Sequence, residues 1–278
     1  MPYRRNAPLL VLIPGLFVAG PALAQFAGSN EQLKRYNECM SLARSEPMRA
    51  LPVAEKWMGE GGGLGARHCV ALATFLAGRP QQAAAQFESI ARDMGLDRPG
   101  LRAELWGQAG QAWMEGGLAQ RAAAAQSMAI DLKPNDPELR VDRGLSYAAM
   151  QAWPRAISDF DQALQLQPND VEVLVLRAAA WRNAKDPAKA LADAERALRL
   201  APEHSEALLE RGFAHLARGE KPAANADFNK VLKIVPPGSD AAQRAESGLR
   251  GDLPVPPPVP PAPTAPAPAP TAPAKKPR

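Results

Sequence analysis

Pro134, Pro168, Pro202 and Pro236 stand 34 residues apart without slippage. A fixed period of this length marks one supersecondary unit stacked on copies of itself. Each unit then touches only its neighbours, which excludes most globular folds built around a single core. With each proline set at position 32, the copies begin at Ala103, Pro137, Val171 and Ser205. Position 8 is Gly110, Gly144, Ala178 and Gly212, and position 20 is Ala122, Ala156, Ala190 and Ala224. Position 27 is Ala129, Ala163, Ala197 and Val231. Position 11 is large or ring-bearing (Trp113, Tyr147, Trp181, His215), and position 24 is aromatic in two copies, Phe160 and Phe228.

The pattern describes two antiparallel helices per copy. Small residues at positions 8 and 20 let the backbones approach, and the aromatic at 24 is expected to pack on the next helix. Proline at 32 ends the second helix. Asn135-Asp136 and Asn169-Asp170 then cap the first helix of the following copy. Aromatics make up only 5% of the chain, although 46% of it is hydrophobic. That balance suits helices packed through Ala and Leu better than a β-sandwich.

The arrangement resembles the tetratricopeptide repeat family, whose period is 34 and whose pattern is W-x2-L-G-x2-Y…A-x3-F…P. Trp106, Gly110 and Trp113 match its first half, and Ala156, Phe160, Ala163 and Pro168 match its second. The resemblance covers 103–236 and implies an all-α, right-handed superhelical solenoid of antiparallel helix hairpins. It also implies a concave face, lined by the first helix of each hairpin, that receives protein or peptide ligands.

Two degenerate hairpins are expected in 25–102. Gly78, Ala83 and Phe87 repeat the spacing of positions 15, 20 and 24, with a first helix starting near Leu64. Upstream, Ser29-x-x-Gln32 reads as a capping box before a helix, and a second helix follows from Pro47 to Met58. Ser239 to Arg250, within 237–250, reads as a polar helix covering the end of the array.

The ends carry targeting and linker signals. Arg4 and Arg5, a short apolar run and Ala22-Leu23-Ala24 read as a secretory signal peptide over 1–24, cut after Ala24. The expected location is therefore outside the cytoplasm, in a bacterial periplasm. Residues 251–278 hold 12 of the 29 prolines and read as a disordered Pro/Ala-rich tail of polyproline character. Between 25 and 250 the chain has 28 basic and 28 acidic residues, so it has no electrostatic footprint for nucleic acid.

No catalytic, cofactor-binding or metal-ligating constellation stands out. His68, His204 and His215 are the only histidines, and none has the close spacing of a helical metal pair. The "GEGGGLG" stretch lacks the Lys-Ser/Thr ending of a phosphate loop and reads as a linker. The favoured reading is a non-catalytic exported scaffold for a protein or peptide. The alternatives are an envelope spacer whose tail, through Lys275, Lys276 and Arg278, contacts cell wall or membrane, and an enzyme with an unrecognised site.

Three sets of residues bear on structure and ligand. Cys39 and Cys69 should lie on the first helices of successive hairpins, which permits a disulfide; two buried thiols are the other outcome. Position 7 is Ala109, Arg143, Arg177 and Arg211, and position 23 is Ala125, Asp159, Asp193 and Asp227. Arg and Asp occur together in three copies and are absent together from the first, which predicts the pairs Arg143–Asp159, Arg177–Asp193 and Arg211–Asp227. The family's inner-face positions hold Val141, Leu145, Val175, Ala179, Arg182, Leu209, Phe213 and Leu216. Glu104, Glu138, Glu172 and Glu206 at position 2 edge them, or serve only as favourable charge at helix N-termini. An apolar segment with basic flanks is the ligand this face predicts; the alternative is that the face is filled by the chain's own superhelix or tail.

Overall fold

A computed structural model describes residues 30–254. Its helices, in chain order, are α1 (Asn30–Ser45), α2 (Pro47–Gly59), α3 (Gly63–Leu76), α4 (Pro80–Asp93), α5 (Pro99–Glu115), α6 (Ala119–Leu132), α7 (Pro137–Ala149), α8 (Trp153–Leu166), α9 (Val171–Asn183), α10 (Pro187–Leu200), α11 (Ser205–Ala217), α12 (Lys221–Ile234) and α13 (Asp240–Arg250). Each helix packs on the next, and first helices also touch across hairpins, as α9 does α11. Six hairpins and a terminal helix follow, with no strand among the described residues. No described helix is long and apolar enough to cross a membrane. The expected signal peptide with its cut after Ala24, the expected capping residue Ser29, and the tail from 255, including Lys275, Lys276 and Arg278, lie outside the described residues.

Local chemistry sets the helix ends. Asp136 caps α7 by accepting from the Glu138 and Leu139 N–H groups, and Asp170 caps α9 by accepting from Val173. The fourth copy has no Asp there; His204 caps α11 instead, its Nδ1 accepting from Ala207 N–H at 3.2 Å. The turns inside hairpins need a left-handed residue at position 15, supplied by Gly117 and Gly219 but also by Gln151 (φ 55°) and Lys185 (φ 66°). The first regular copy departs from the expected boundary. α5 starts at Pro99, four residues before Ala103, because proline suits the first turn of a helix.

The aromatic at position 24 packs back on its own hairpin as well as forward. A Cβ on Gly144 would stand 2.6 Å from Phe160 Cε1, and one on Gly212 would stand 2.6 Å from Phe228 Cε1. Glycine at position 8 is therefore the seat of the ring. The third copy solves the same packing with Ala178 opposite Ala194, both buried. The first seats Gln126 on Gly110, and Gln126 accepts from Ser146 Oγ at 2.7 Å across to the next hairpin. Phe228 also lies against Gly248 of α13, so the terminal helix completes the last ring's packing.

The Arg and Asp columns meet inside each hairpin. Arg143 reaches Asp159 with two bonds of 2.8 and 2.7 Å, Arg177 reaches Asp193 at 2.8 and 2.6 Å, and Arg211 reaches Asp227 at 2.8 and 2.6 Å. All three carboxylates are buried. The third guanidinium nitrogen reaches back to position 25 of the preceding hairpin: Arg143 to Ser127 Oγ at 3.0 Å, Arg177 to Asp161 Oδ1 at 2.6 Å. The ladder thus joins hairpins as well as closing them. At the other end Cys39 of α1 and Cys69 of α3 form a disulfide with their Cα atoms 6.1 Å apart.

Candidate functional site

The inner surface is made by α5, α7, α9 and α11, and it is not uniform. In α7 and α9 the expected lining residues Leu145 and Ala179 are partly exposed, and Val141 and Val175 retain 9% and 7% exposure. In α11 two of three are lost to a ligand. Leu209 and Phe213 are 0% and 1% exposed, and only Leu216 stays partly open. The cause is α13. Its Arg244 ion-pairs with Glu206 at 2.6 Å and Glu210 at 3.3 Å, and its guanidinium lies 6.0 Å from the centre of the Phe213 ring. Arg182 of α9 also approaches that ring, at 5.7 Å, and bonds Glu210 at 2.8 Å. The open face is therefore shorter than the repeat pattern implies and ends at α9.

The expected acidic edge is largely engaged within the protein. Glu104 accepts from Lys133 Nζ at 3.2 Å, and Glu206 is held by Arg244. Glu172 accepts from His204: since Nδ1 of that ring is the cap acceptor, Nε2 carries the proton and donates at 2.8 Å. Among the described residues Glu138 alone of the four has no side-chain partner. Arg182, the one cation expected on the groove, is spent on Glu210, with 11% of its side chain exposed.

One column was not singled out by the sequence. Position 6 reads Gln108, Asp142, Leu176 and Glu210. Its polar members are buried and point at the neighbouring first helices: Gln108 bonds His68 Nε2 at 2.9 Å, and Glu210 takes Arg182 and Arg244. Asp142 is the exception. It is 7% exposed, and its Oδ2 has no hydrogen-bond partner. Burial, with Glu138 and Asp136 adding like charge, pushes its carboxyl up to about 7. Gln111 at position 9 of α5 also keeps an unbonded buried oxygen, Oε1. Reading position 6 against position 12 (Met114, Ala148, Arg182, Leu216) shows the signal: only Glu210 meets an arginine from the helix before it.

The histidines have separate environments. His68 is fully buried between Gln108 and the Tyr36 hydroxyl, 2.8 Å from its Nδ1, and burial lowers its pKa to about 4. His204 caps α11, and His215 meets Glu220 at 2.6 Å. No group of three or more His, Cys, Asp and Glu side chains suited to a metal occurs among the described residues.

Tetratricopeptide repeat models match residues 71–137, 111–181 and 176–247. No curated protein matches the chain significantly. Among solved structures, MamA from Desulfovibrio magneticus RS-1 is similar at 19% identity and TM-score 0.56, over 62% of this chain and 94% of that one. The C-terminal part of a TPR repeat-containing protein from Cytophaga hutchinsonii aligns at 16% identity and TM-score 0.64, over 76% of this chain and 85% of that one. A chain of the APC/C hetero-tetramer Cut9-Hcn1 aligns at 17% identity and TM-score 0.56, over 78% of this chain and 42% of that one. At these identities the likeness is one of fold, but the family models span most of the repeat array: the chain belongs to the tetratricopeptide repeat family.

Proposed function

We propose that this protein is an exported, non-catalytic scaffold that holds a peptide segment of a partner protein along α5, α7 and α9. The observation that carries the reading is the partly exposed apolar row of Leu145 and Ala179, continued by the rims of Val141 and Val175 and bordered by the exposed carboxylates Glu138 and Glu172. An apolar side chain laid there leaves water at about 25 cal/mol per Å². The acidic border favours basic flanks on the same segment. Export is supported by the leader-like N-terminus and by the Cys39–Cys69 pairing, since such bonds persist in oxidising compartments.

Leu209 and Phe213 are unsuitable for testing this, because they are core. Leu145→Glu and Ala179→Glu change partly exposed positions and should leave the helical circular dichroism intact. Crosslinking in the native envelope followed by mass spectrometry should identify a partner with the unaltered chain and lose it with both variants. Retention of that partner by the folded variants would overturn the inner-face assignment.

A further inference from the structure

Asp142 and Glu210 occupy the same position of two repeats, and both are buried on the inner seam. Glu210 is satisfied from both sides. Arg182, at position 12 of the preceding first helix, gives it Nε at 2.8 Å, and Arg244 gives it Nη2 at 3.3 Å. For Asp142 the residue in the place of Arg182 is Met114, a partly buried thioether with no proton to give, and the residue in the place of Arg244 is Leu176. The carboxylate is left with an unbonded oxygen beside two further acids, Glu138 and Asp136. Elsewhere on α5, Gln111 Oε1 is also buried and unbonded. A buried carboxylate with an oxygen left without a donor calls for a multidentate cationic donor. A guanidinium is planar, carries five N–H donors and is weakly hydrated, so it is the side chain most readily seated at such a place.

We propose that the α5–α7 seam is a subsite for an arginine side chain of the bound peptide, which supplies to Asp142 the cation that Arg182 supplies to Glu210. The proposal rests on the peptide-binding reading above and specifies its ligand. Met114 is the gate. It is unbranched and flexible, so it can swing from the seam as the arginine enters. The apolar neighbours of that arginine then lie on Leu145 and Ala179, and Glu138 and Glu172 attract the peptide to the correct face before it docks.

The test uses the full-length protein and two synthetic probes, fluorescently labelled Leu-Val-Arg-Ala-Leu and its twin with citrulline, which keeps the shape and removes the charge. Anisotropy titrations at pH 8 should show the arginine probe binding at least about tenfold more tightly, since losing one partner of a buried charged pair is expensive. Asp142→Asn should erase the difference between probes. Met114→Arg should erase it too, by seating an internal guanidinium on Asp142, and should raise the thermal midpoint. That gain should vanish when Asp142→Asn is added, which shows that both variants fold and act at one place. Equal binding of the two probes by the unaltered protein would overturn the subsite and leave the peptide-binding reading standing. Binding of neither probe, with or without residues 255–278, would count against both. Discrimination that survives Asp142→Asn would move the arginine to another carboxylate and overturn the assignment. Binding seen only after removal of residues 255–278 would give the cation to the chain's own Lys275, Lys276 or Arg278, and overturn the external ligand.

Discussion

Arg143 of α7 donates two parallel hydrogen bonds to Asp159 of α8, Nε to Oδ2 at 2.8 Å and Nη2 to Oδ1 at 2.7 Å. The Asp159 side chain is 3% exposed and that of Arg143 is 19% exposed, so the carboxylate is cut off from bulk water and the guanidinium keeps only partial access to it. Asp159→Ala should therefore destabilise the fold by up to about 3–5 kcal/mol, because it removes the carboxylate from a partly buried guanidinium. The double change Arg143→Ala with Asp159→Ala should cost much less. The protein already contains that solution: Ala109 and Ala125 fill the same two positions in the first regular copy, buried and uncharged. Urea unfolding of the two single variants and the double variant measures the coupling directly; additive losses would show that the pair is incidental.

Position 8 offers a second exchange that the chain has performed internally. Gly144→Ala places a methyl 2.6 Å from the Phe160 ring, and overpacking of this kind should cost about 1–3 kcal/mol. The third copy has Ala178 facing Ala194 without a ring between them. Adding Phe160→Ala to Gly144→Ala should thus cost less than the sum of the two single changes. A strictly additive thermal shift would contradict this account of the glycine.

The columns that share one hairpin were legible because their partners covary inside a single copy, as Arg143 and Asp159 do. Pro134 and its successors set the period, and Ser239 announced the last helix. What could not be read was set between copies or by residues outside the period. Arg244 lies beyond the fourth copy, yet it covers Phe213 and shortens the groove. Glu210 looks like a surface acid until Arg182 is placed one hairpin back. The unmet Asp142 is visible only as a difference between two such crossings. Gln32 accepts from Trp57 Nε1 at 3.1 Å, a contact set by how α1 and α2 pack that the local sequence does not announce.

Lys185 holds a left-handed backbone, φ 66°, at the turn between α9 and α10, where Gly117 and Gly219 stand in sister copies. Its side chain is exposed, and the strain of a Cβ in this region is about 1–2 kcal/mol. Lys185→Gly should accordingly stabilise by about 0.5–1 kcal/mol after the added freedom of the unfolded chain is counted. A lower midpoint in urea would show that the side chain contributes more than the strain removes.

The Cys39–Cys69 bond closes a loop with a sequence separation of 30 between α1 and α3, and both residues are buried. In the chain-entropy model a loop of this length contributes about 3–4 kcal/mol. Cys39→Ser with Cys69→Ser should lower stability by about that amount, and amide exchange should quicken most in α1 and α2. Uniform acceleration across the array would mean that the repeats unfold as one unit and that the bond does not act on the N-terminal hairpins in particular.

Asp142 and His68 pull the pH dependence of stability in opposite directions. Asp142 has its carboxyl raised from about 3.8 to about 7 by burial and by Glu138 and Asp136. The folded state binds this proton more tightly than the unfolded state does, so the contribution is fully present below pH 4 and is lost as pH rises to about 7. At about 1.4 kcal/mol per unit the loss amounts to as much as roughly 4 kcal/mol. His68 has its pKa lowered by burial from about 6.5 to about 4; its contribution is present above 6.5 and is lost as pH falls towards 4. Between about pH 4 and 6.5 the two contributions offset each other in the parent; Asp142→Asn should leave that of His68 alone, so the variant should weaken as pH falls from 6.5 towards 4 while the parent changes little, and the variant should be more stable than the parent at pH 8. Unfolding by urea at pH 4.5, 6 and 8 checks this. A variant less stable than the parent at pH 8 would show that the charged carboxylate has a partner in the folded protein, and would remove the vacancy on which the arginine subsite depends.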